Sequence, residues 1–417
     1  MKIALYGNVC NNMFAIAKAV RANSDYDVHL YLPQNTDFHN LPENDDPTLK
    51  NNYPHWIHKH KDYNLGSIFI PWKRNIIKEL NSYDIVILSS LAVSLAPYIK
   101  NPVKLFFVTG GDLTVLPFKE IHRTLLYNKS KINIKPILYQ IVQRHGIKKI
   151  DHIITQPFYP FKKSIEKLKI PDEKILQSYF PIIFDINRFT FRDNAYNQLD
   201  KITQNEISKF KFRIFHPSRI IINNDKHLVD TGQWKQNDLL IRAFASFIQK
   251  NDIHDAGLYL INRQYKLDNE ILELKKLIKR LKIDDFVIWL EPSNNKGFTR
   301  DDLVNIYSLS NVITDDYGAG WFGSICIEGF SCGKPVVSYV DEEAMIQIYP
   351  WHPFLSSNTI EGNANFFKKI YFDKDFAEEQ GKKGRNWASE FHSQENAGIR
   401  YVKEIKKIFS LVKESTK

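Results

Sequence analysis

An α/β fold with two successive doubly wound parallel sheets is what this chain predicts, and three observations predict it. Its 417 residues are too many for one ordinary core and suit two domains of about 200 residues each. Short apolar strands alternate with amphipathic helical stretches in both halves, the pattern of a parallel sheet covered on both faces. A glycine-rich turn joins a strand to a helix start between Asp315 and Ile325, and such a turn lets backbone N–H groups approach a phosphate closely.

Taken in order, the first half predicts strands at Ile3–Tyr6, Val28–Leu32, Ile85–Ser89, Lys104–Val108 and His152–Thr155, with helices at Met13–Arg21 and Trp72–Asn81. Pro33 to Ser67 breaks the rhythm. It is rich in Asn, Asp, His and aromatics and predicts a long loop. The histidines between Tyr53 and His60 resemble a metal set, but their mixed spacing and loop setting favour solvated or acceptor-side residues. Pro181 to Phe189 reads as a hinge. The second half predicts strands at Phe212–His216, Gly257–Ile261, Phe286–Trp289, Val312–Thr314 and Val336–Tyr339, and helices at Asn237–Gln249, Leu267–Leu281 and Thr299–Tyr307. From Ala364 onward the tail is helical.

Composition narrows the class. Hydrophobic residues at 43% and charged residues at 25% are ordinary for a globular protein. No apolar run reaches the roughly 18 residues that a membrane span requires, and the N-terminal Met1 to Gly7 reads as a strand and turn rather than a signal peptide. The three cysteines, Cys10, Cys326 and Cys332, lack metal-ligand spacing, which makes a reducing cytoplasm the expected home. The net charge of +10 is uneven: Lys119 to Lys174 holds thirteen Lys/Arg against five Asp/Glu. This stretch includes Lys148, Lys149, Lys162, Lys163 and the aromatics of Pro157–Phe161. It suits either an anionic membrane surface or a solvated helical face. No nucleic-acid motif accompanies it, so no nucleic-acid partner is expected.

The chemistry concentrates in the second half. Phe322-Gly323, then Glu328, then Gly333-Lys334-Pro335-Val336-Val337 resemble the signature of the retaining GT4-class glycosyltransferases ("glycosyl transferases group 1"), a Glu, seven residues, a second Glu and a run ending G-x-P-V-V. The resemblance covers most of the chain and is densest from Phe212 to Tyr339. It implies the GT-B fold: two Rossmann-like domains facing across a cleft, residues 1–185 on the acceptor side and 186–394 binding the nucleotide sugar. Gly384-Arg385-Asn386-Trp387 resembles the family's last helices, so a terminal helix over about 395–417 is expected to pack back on the first domain.

Residue roles implied by the resemblance follow. Arg219 after the strand Phe212–His216, and Lys235 before the next helix, would neutralise the diphosphate leaving group; Lys226 is the other lysine within reach of that role. Gly323, Ser324 and Ile325 would offer backbone N–H groups to the diphosphate, Phe322 would line the donor site, and Glu328 would accept from the ribose hydroxyls. Glu291 and Pro292 either hold the base or simply end a strand. Gly7 and Asn11, in the turn Gly7–Asn12, either reach the phosphates or serve as turn and N-cap residues. Asp112 either steers and deprotonates the acceptor hydroxyl or caps a helix. The chain departs from the pattern twice, with Gly320 in place of the first Glu and Gly111 in place of a His; Asp315 or Asp316, from the other side of the turn, is a candidate to substitute for the missing Glu.

The function so implied is metal-independent, retaining transfer of a sugar from a nucleotide-diphosphate sugar. The acceptor would be a glycan or lipid-linked saccharide in cell-surface polysaccharide or glycolipid assembly, reached from the cytoplasmic face of an anionic membrane, with no cofactor. Two alternatives share the fold: a nucleotide-sugar epimerase or phosphorylase, and a non-catalytic nucleotide-sugar-binding subunit.

Overall fold

Buried apolar strands set the architecture. In the computed structural model, residues 1–37, 40–50, 52–60, 75–118, 135–176, 180–262, 268–292 and 297–415 are described. They form two compact units, Met1–Ile183 with Gln394–Lys417, and Phe184–Ser393.

The first unit holds β1 (Lys2–Tyr6), β2 (Asp27–Pro33), β3 (Ile57–His60), β4 (Ile85–Leu88), β5 (Val103–Phe107), β6 (His152–Ile154) and β7 (Ile175–Leu176). Their order is β3-β2-β1-β4-β5-β6-β7, and every pair is parallel. Ile3 lies opposite Val28 on one side and Ile85 on the other. All three are fully buried, as residues of a central parallel strand must be. The helix Gln394–Ser415 packs against the helix Asn12–Ala22. It adds Ala397, Tyr401, Ile405 and Ile408 to this core, and Tyr401 Oη donates to the Pro181 carbonyl at 2.9 Å.

The structure corrects one expectation here. Pro33 to Ser67 is not one long loop: it contains two 3-10 turns, Pro42–Asn44 and Pro47–Leu49, and β3, which extends the sheet along β2. Residues 61–67 lie outside the described residues. The histidines on β3 have partners in the fold. His58 Nε2 is 2.7 Å from His29 Nδ1, and His60 Nε2 is 3.0 Å from Glu79 Oε1. The predicted helix Trp72–Asn81 appears as Asn75–Leu80, its first residues lying outside the described ones.

The second unit holds β8 (Phe212–His216), β9 (Ala256–Ile261), β10 (Val287–Leu290), β11 (Val312–Thr314), β12 (Val336–Ser338) and β13 (Leu355–Ser356). Their order is β10-β9-β8-β11-β12-β13, again all parallel. Counted from β8, this is the Rossmann order 3-2-1-4-5-6, in which the chain reverses its winding between the first and fourth strands. Ile214, on β8, meets Val312 and Leu258 with no exposed surface on any of the three. The helices Asn237–Lys250, Asp268–Arg280, Arg300–Leu309 and Ser324–Ser331 are the crossovers. The helix Lys374–His392 brings the fully buried Trp387 against Phe322, Phe330 and Phe354.

Candidate active site

In an open α/β sheet, ligands bind outside the carboxyl ends of the strands, where the winding reverses. In the second unit that point lies between β8 and β11. β8 ends at His216 and continues into Pro217-Ser218-Arg219; β11 ends at Thr314 and continues into Asp315-Asp316.

The junction is fixed by one buried network. His216 Nε2 is 2.7 Å from Asn237 Nδ2, and His216 Nδ1 is 2.9 Å from Thr314 Oγ1. Asn237 Oδ1 accepts from the Ile221 amide at 2.7 Å, so its Nδ2 must donate to His216. That makes the histidine a neutral imidazole carrying its proton on Nδ1. Strand β8, strand β11, the loop at Ile221 and the start of the helix Asn237–Lys250 are thereby tied together.

Lys235 lies two residues before that helix, next to its N-cap Gln236. Its ammonium reaches Asp316 Oδ2 at 2.5 Å, with the lysine side chain 18% and the aspartate 3% exposed. Asp316 Oδ1 accepts from the amides of Gly318 and Ala319 at 2.8 and 3.1 Å. Burial works against the charge on Lys235, but Asp316 and then Asp315 outweigh it and hold its pKa above the ordinary lysine value, while Arg219 opposes them. Asp315 is equally buried. Desolvation raises its pKa against the pull of Lys235, and Ser218 and the Cys326 thiol hydrogen-bond to it. The Arg219 guanidinium is exposed and meets Gln233 Oε1 only at 3.4 Å.

The helix Ser324–Ser331 begins beside these groups: a Cβ on Gly323 would lie 3.8 Å from Asp315 Oδ2. Gly323 is its N-cap and supplies no side-chain cap, and Ser324 is exposed. Its first amides are therefore available to an anion. Two cations, a helix N-terminus and the Ser324 hydroxyl meet here, together with the buried carboxylates of Asp315 and Asp316 that face Lys235. The cations and amides of this set can bind a phosphate or diphosphate and stabilise charge as it departs.

The other sequence-predicted residues fall as follows. Glu328 sits one turn into the same helix, 3% exposed. Oε1 accepts from Arg300 Nη1 at 2.8 Å and Oε2 from Tyr307 Oη at 2.6 Å; burial and then the neighbouring carboxylate push the Tyr307 phenol well up. The Phe322 ring turns into the aromatic core against Phe354 and Trp387, leaving only its backbone to face a ligand. Gly320 has φ +73°, and a Cβ there would stand 3.2 Å from the Tyr339 ring and 3.4 Å from Asp341 Cβ, so the backbone itself disfavours a side chain. Glu291 and Pro292 follow β10 at the far side of the sheet, where Glu291 Oε1 accepts from Asn262 Nδ2 at 2.7 Å. Lys226 is exposed and opens a separate short helix, Lys226–Asp230.

Three predicted residues belong to the first unit. Gly7 has φ +101°, and a Cβ there would stand 2.2 Å from the Ser89 carbonyl oxygen. Asn11 is left-handed at φ 59°; it accepts from Asn8 Nδ2 and donates to the Leu41 carbonyl, both at 2.8 Å. Asn8, not Asn11, closes the helix start, accepting from the Phe14 amide at 2.9 Å. Asp112 is buried, and its carboxylate accepts from the Ser90 amide (2.9 Å), the Thr109 amide (3.0 Å) and Thr109 Oγ1 (2.8 Å). Desolvation raises its pKa against those hydrogen bonds. At Gly111 a Cβ would find ordinary contact with Val115, so nothing in the backbone demands glycine there.

Sequence reasoning missed Arg300, Tyr307, Ser218 and the His216–Asn237 pair. The helix predicted at Thr299–Tyr307 already carried Arg300 and Tyr307, and it starts at a Thr299–Asp302 capping box. Nothing in the sequence signals that those two reach Glu328.

No protein-family model matches this chain, and no curated protein matches its sequence. Its fold is nonetheless shared with solved structures over full length. HepE from Anabaena, solved in complex with UDP and glucose, is 15% identical with a TM-score of 0.64, the match covering 98% of this chain and 99% of that one. Sucrose-phosphate synthase from Thermosynechococcus elongatus is 14% identical, with a TM-score of 0.62 over 99% and 100%. A glycosyltransferase from Rickettsia africae is 18% identical, with a TM-score of 0.60 over 98% of each chain. At these identities the likeness is one of fold: the chain has the two Rossmann-like, doubly wound units of the GT-B fold.

Proposed function

We propose that this protein is a glycosyltransferase that moves a sugar from a nucleoside-diphosphate sugar to a hydroxyl acceptor. The observation that carries the reading is the convergence of Arg219, Lys235 and the uncapped start of the helix Ser324–Ser331 at the carboxyl ends of β8 and β11. The UDP and UDP-glucose found with HepE favour a uridine donor. The diphosphate leaves with its charge met by Lys235, Arg219 and the helix amides. The acceptor oxygen bonds to the anomeric carbon on the face the diphosphate leaves, and the diphosphate takes up the acceptor proton there, so configuration is retained and no metal ion is needed. Glu328, whose two oxygens are held by Arg300 and Tyr307, is the carboxylate we assign to the ribose hydroxyls.

The acceptor we infer is a glycan or lipid-linked saccharide of cell-surface assembly, met at an anionic membrane face. Support comes from the exposed Lys148, Lys149 and Lys162. The aromatics add little, since Phe158 and Phe161 are buried and Tyr159 alone of the three rings is exposed. Residues 119–134 of the basic stretch lie outside the described ones, and among the described residues no helix is long and apolar enough to cross a membrane. Flotation with vesicles of 30% anionic lipid should capture the protein at low salt and release it at high salt; capture indifferent to lipid charge removes the membrane step.

A second reading, a nucleotide-sugar-binding subunit without turnover, is favoured by Gly320, whose backbone resists any side chain. One experiment separates the two. A thermal-shift panel of nucleotides and nucleotide sugars, with and without magnesium, should show a rise with one diphospho-sugar that is unchanged by magnesium and lost in Arg219→Ala. Release of nucleoside diphosphate on adding a saccharide acceptor then marks the enzyme. A shift without release under any acceptor supports the subunit, and no shift at all removes both readings.

A further inference from the structure

If Lys235 meets a diphosphate, as the proposed function has it, its geometry before the ligand arrives determines how much of the binding energy survives. Lysine is a flexible point charge, and fixing its side chain costs about 2 kcal/mol of rotamer freedom. Ordering it in advance removes that cost from the binding step. We propose that Asp316 is the positioning residue that does this, acting on the ligand only through Lys235.

The aspartate is itself over-determined. One carboxylate oxygen holds the Lys235 ammonium, and the other accepts from the Gly318 and Ala319 amides. Its carbonyl accepts from Ser338 Oγ and the Tyr339 amide, both at 2.8 Å. At 2% exposure it has no surface to give a sugar without abandoning those partners. The backbone of Lys235 is pinned as well: its amide donates to the Ile221 carbonyl at 3.1 Å, and its carbonyl accepts from the Tyr317 amide at 3.2 Å. The ammonium is thus presented at the carboxyl end of the sheet from a fixed stem.

Charge completes the argument. The groups facing Lys235 are Asp316 and Asp315 from the loop after β11 and Arg219 from the loop after β8. The Cys326 thiol from the neighbouring helix touches Asp315, and burial keeps it protonated. A mostly buried ammonium beside an arginine would shed its proton readily if only Asp315, itself pushed toward its neutral form by burial, remained to hold it. Removing the negative charge of Asp316 while keeping its shape should therefore lower the Lys235 pKa, because burial and Arg219 then oppose the charge with less to offset them.

The test uses the full chain and two probes, uridine and adenosine diphosphate. Wild-type affinity for the preferred diphosphate should be flat between pH 7 and 9. In Asp316→Asn it should fall about tenfold at pH 7 and decline further with rising pH, one proton per ligand. Asp316→Glu should restore the flat profile, and in a Lys235→Ala background Asp316→Asn should add no further loss. A loss in Asp316→Asn that keeps the wild-type pH profile, or that persists undiminished without Lys235, overturns the proposal. If the wild type binds neither diphosphate, the proposed function falls. Asp316 is then still judged by NMR titration of the Lys235 side chain without ligand: a lowered Lys235 pKa in Asp316→Asn supports it, and an unchanged one sinks it.

Discussion

Lys334 shows how much one side chain can cost the fold. It donates to the Ser308 carbonyl at 2.7 Å, its ammonium lies 4.9 Å from the centre of the Phe191 ring, and burial lowers its pKa to about 8. The folded value lies below the unfolded one, so between about pH 8 and 10 the unfolded chain binds more protons and stability rises with pH. Below pH 8 the penalty is complete. Lys334→Met should therefore raise stability at pH 7 by about 1–3 kcal/mol, with the gain shrinking toward pH 10. Urea denaturation across that range checks it, and a gain independent of pH would contradict it. Gly7 is the opposite case: a Cβ there would collide with the Ser89 carbonyl oxygen at a positive φ, and Gly7→Ala should cost roughly 2–4 kcal/mol in the same measurement.

Among the elements, the junction of β8, β11 and the helix Asn237–Lys250 is the most consequential. Asn237→Ala leaves the Ile221 amide without its acceptor and His216 Nε2 without its donor, both buried, a loss on the order of 2–5 kcal/mol. Because the same residue locks the helix that Lys235 precedes, diphosphate affinity should fall along with the denaturation midpoint. Unchanged affinity in a destabilised variant would mean that Lys235 is held by Asp316 alone. Asp112 belongs to the same scale. Its carboxylate bridges the loops after β4 and β5, and Asp112→Ala strands three donors. Asp112→Ala should therefore cost stability as well as any turnover.

At the scale of the whole molecule, the two units differ in how much of the chain they need. Unit Met1–Ile183 takes its last helix from Gln394 onward, with Tyr401 and Ile405 fully inside its core. A chain ending at Ser393 should lose cooperative melting of the first unit while Phe184–Ser393 keeps its own transition. Calorimetry would show one transition abolished or lowered by about 10 °C or more and the other unmoved; two unaltered transitions would refute that division of labour.

Much of this was legible in the sequence. Central strands such as Ile85–Leu88 and Ala256–Ile261 are buried on both faces, so their apolar runs announce them wherever they pack. Edge strands are not so marked. Ile57–His60 has a single fully apolar residue, and Ile175–Leu176 and Leu355–Ser356 have two residues each, too few to print a pattern. Their identity comes from hydrogen bonds to a neighbour rather than from burial. The glycine-rich turn was visible as local spacing, because a strand end and a helix start are local events, whereas the roles expected of Arg219 and Lys235 rested on the family resemblance. What engages those groups was not: Asp316 lies 81 residues from Lys235 and Arg300 lies 28 from Glu328. By itself the sequence determined where strands, turns and cations lie along the chain, since periodicity and propensity act over a few residues. Only the tertiary structure decided which carboxylate holds which cation, because a buried charge takes whatever partner the folded sheet brings within about 3 Å.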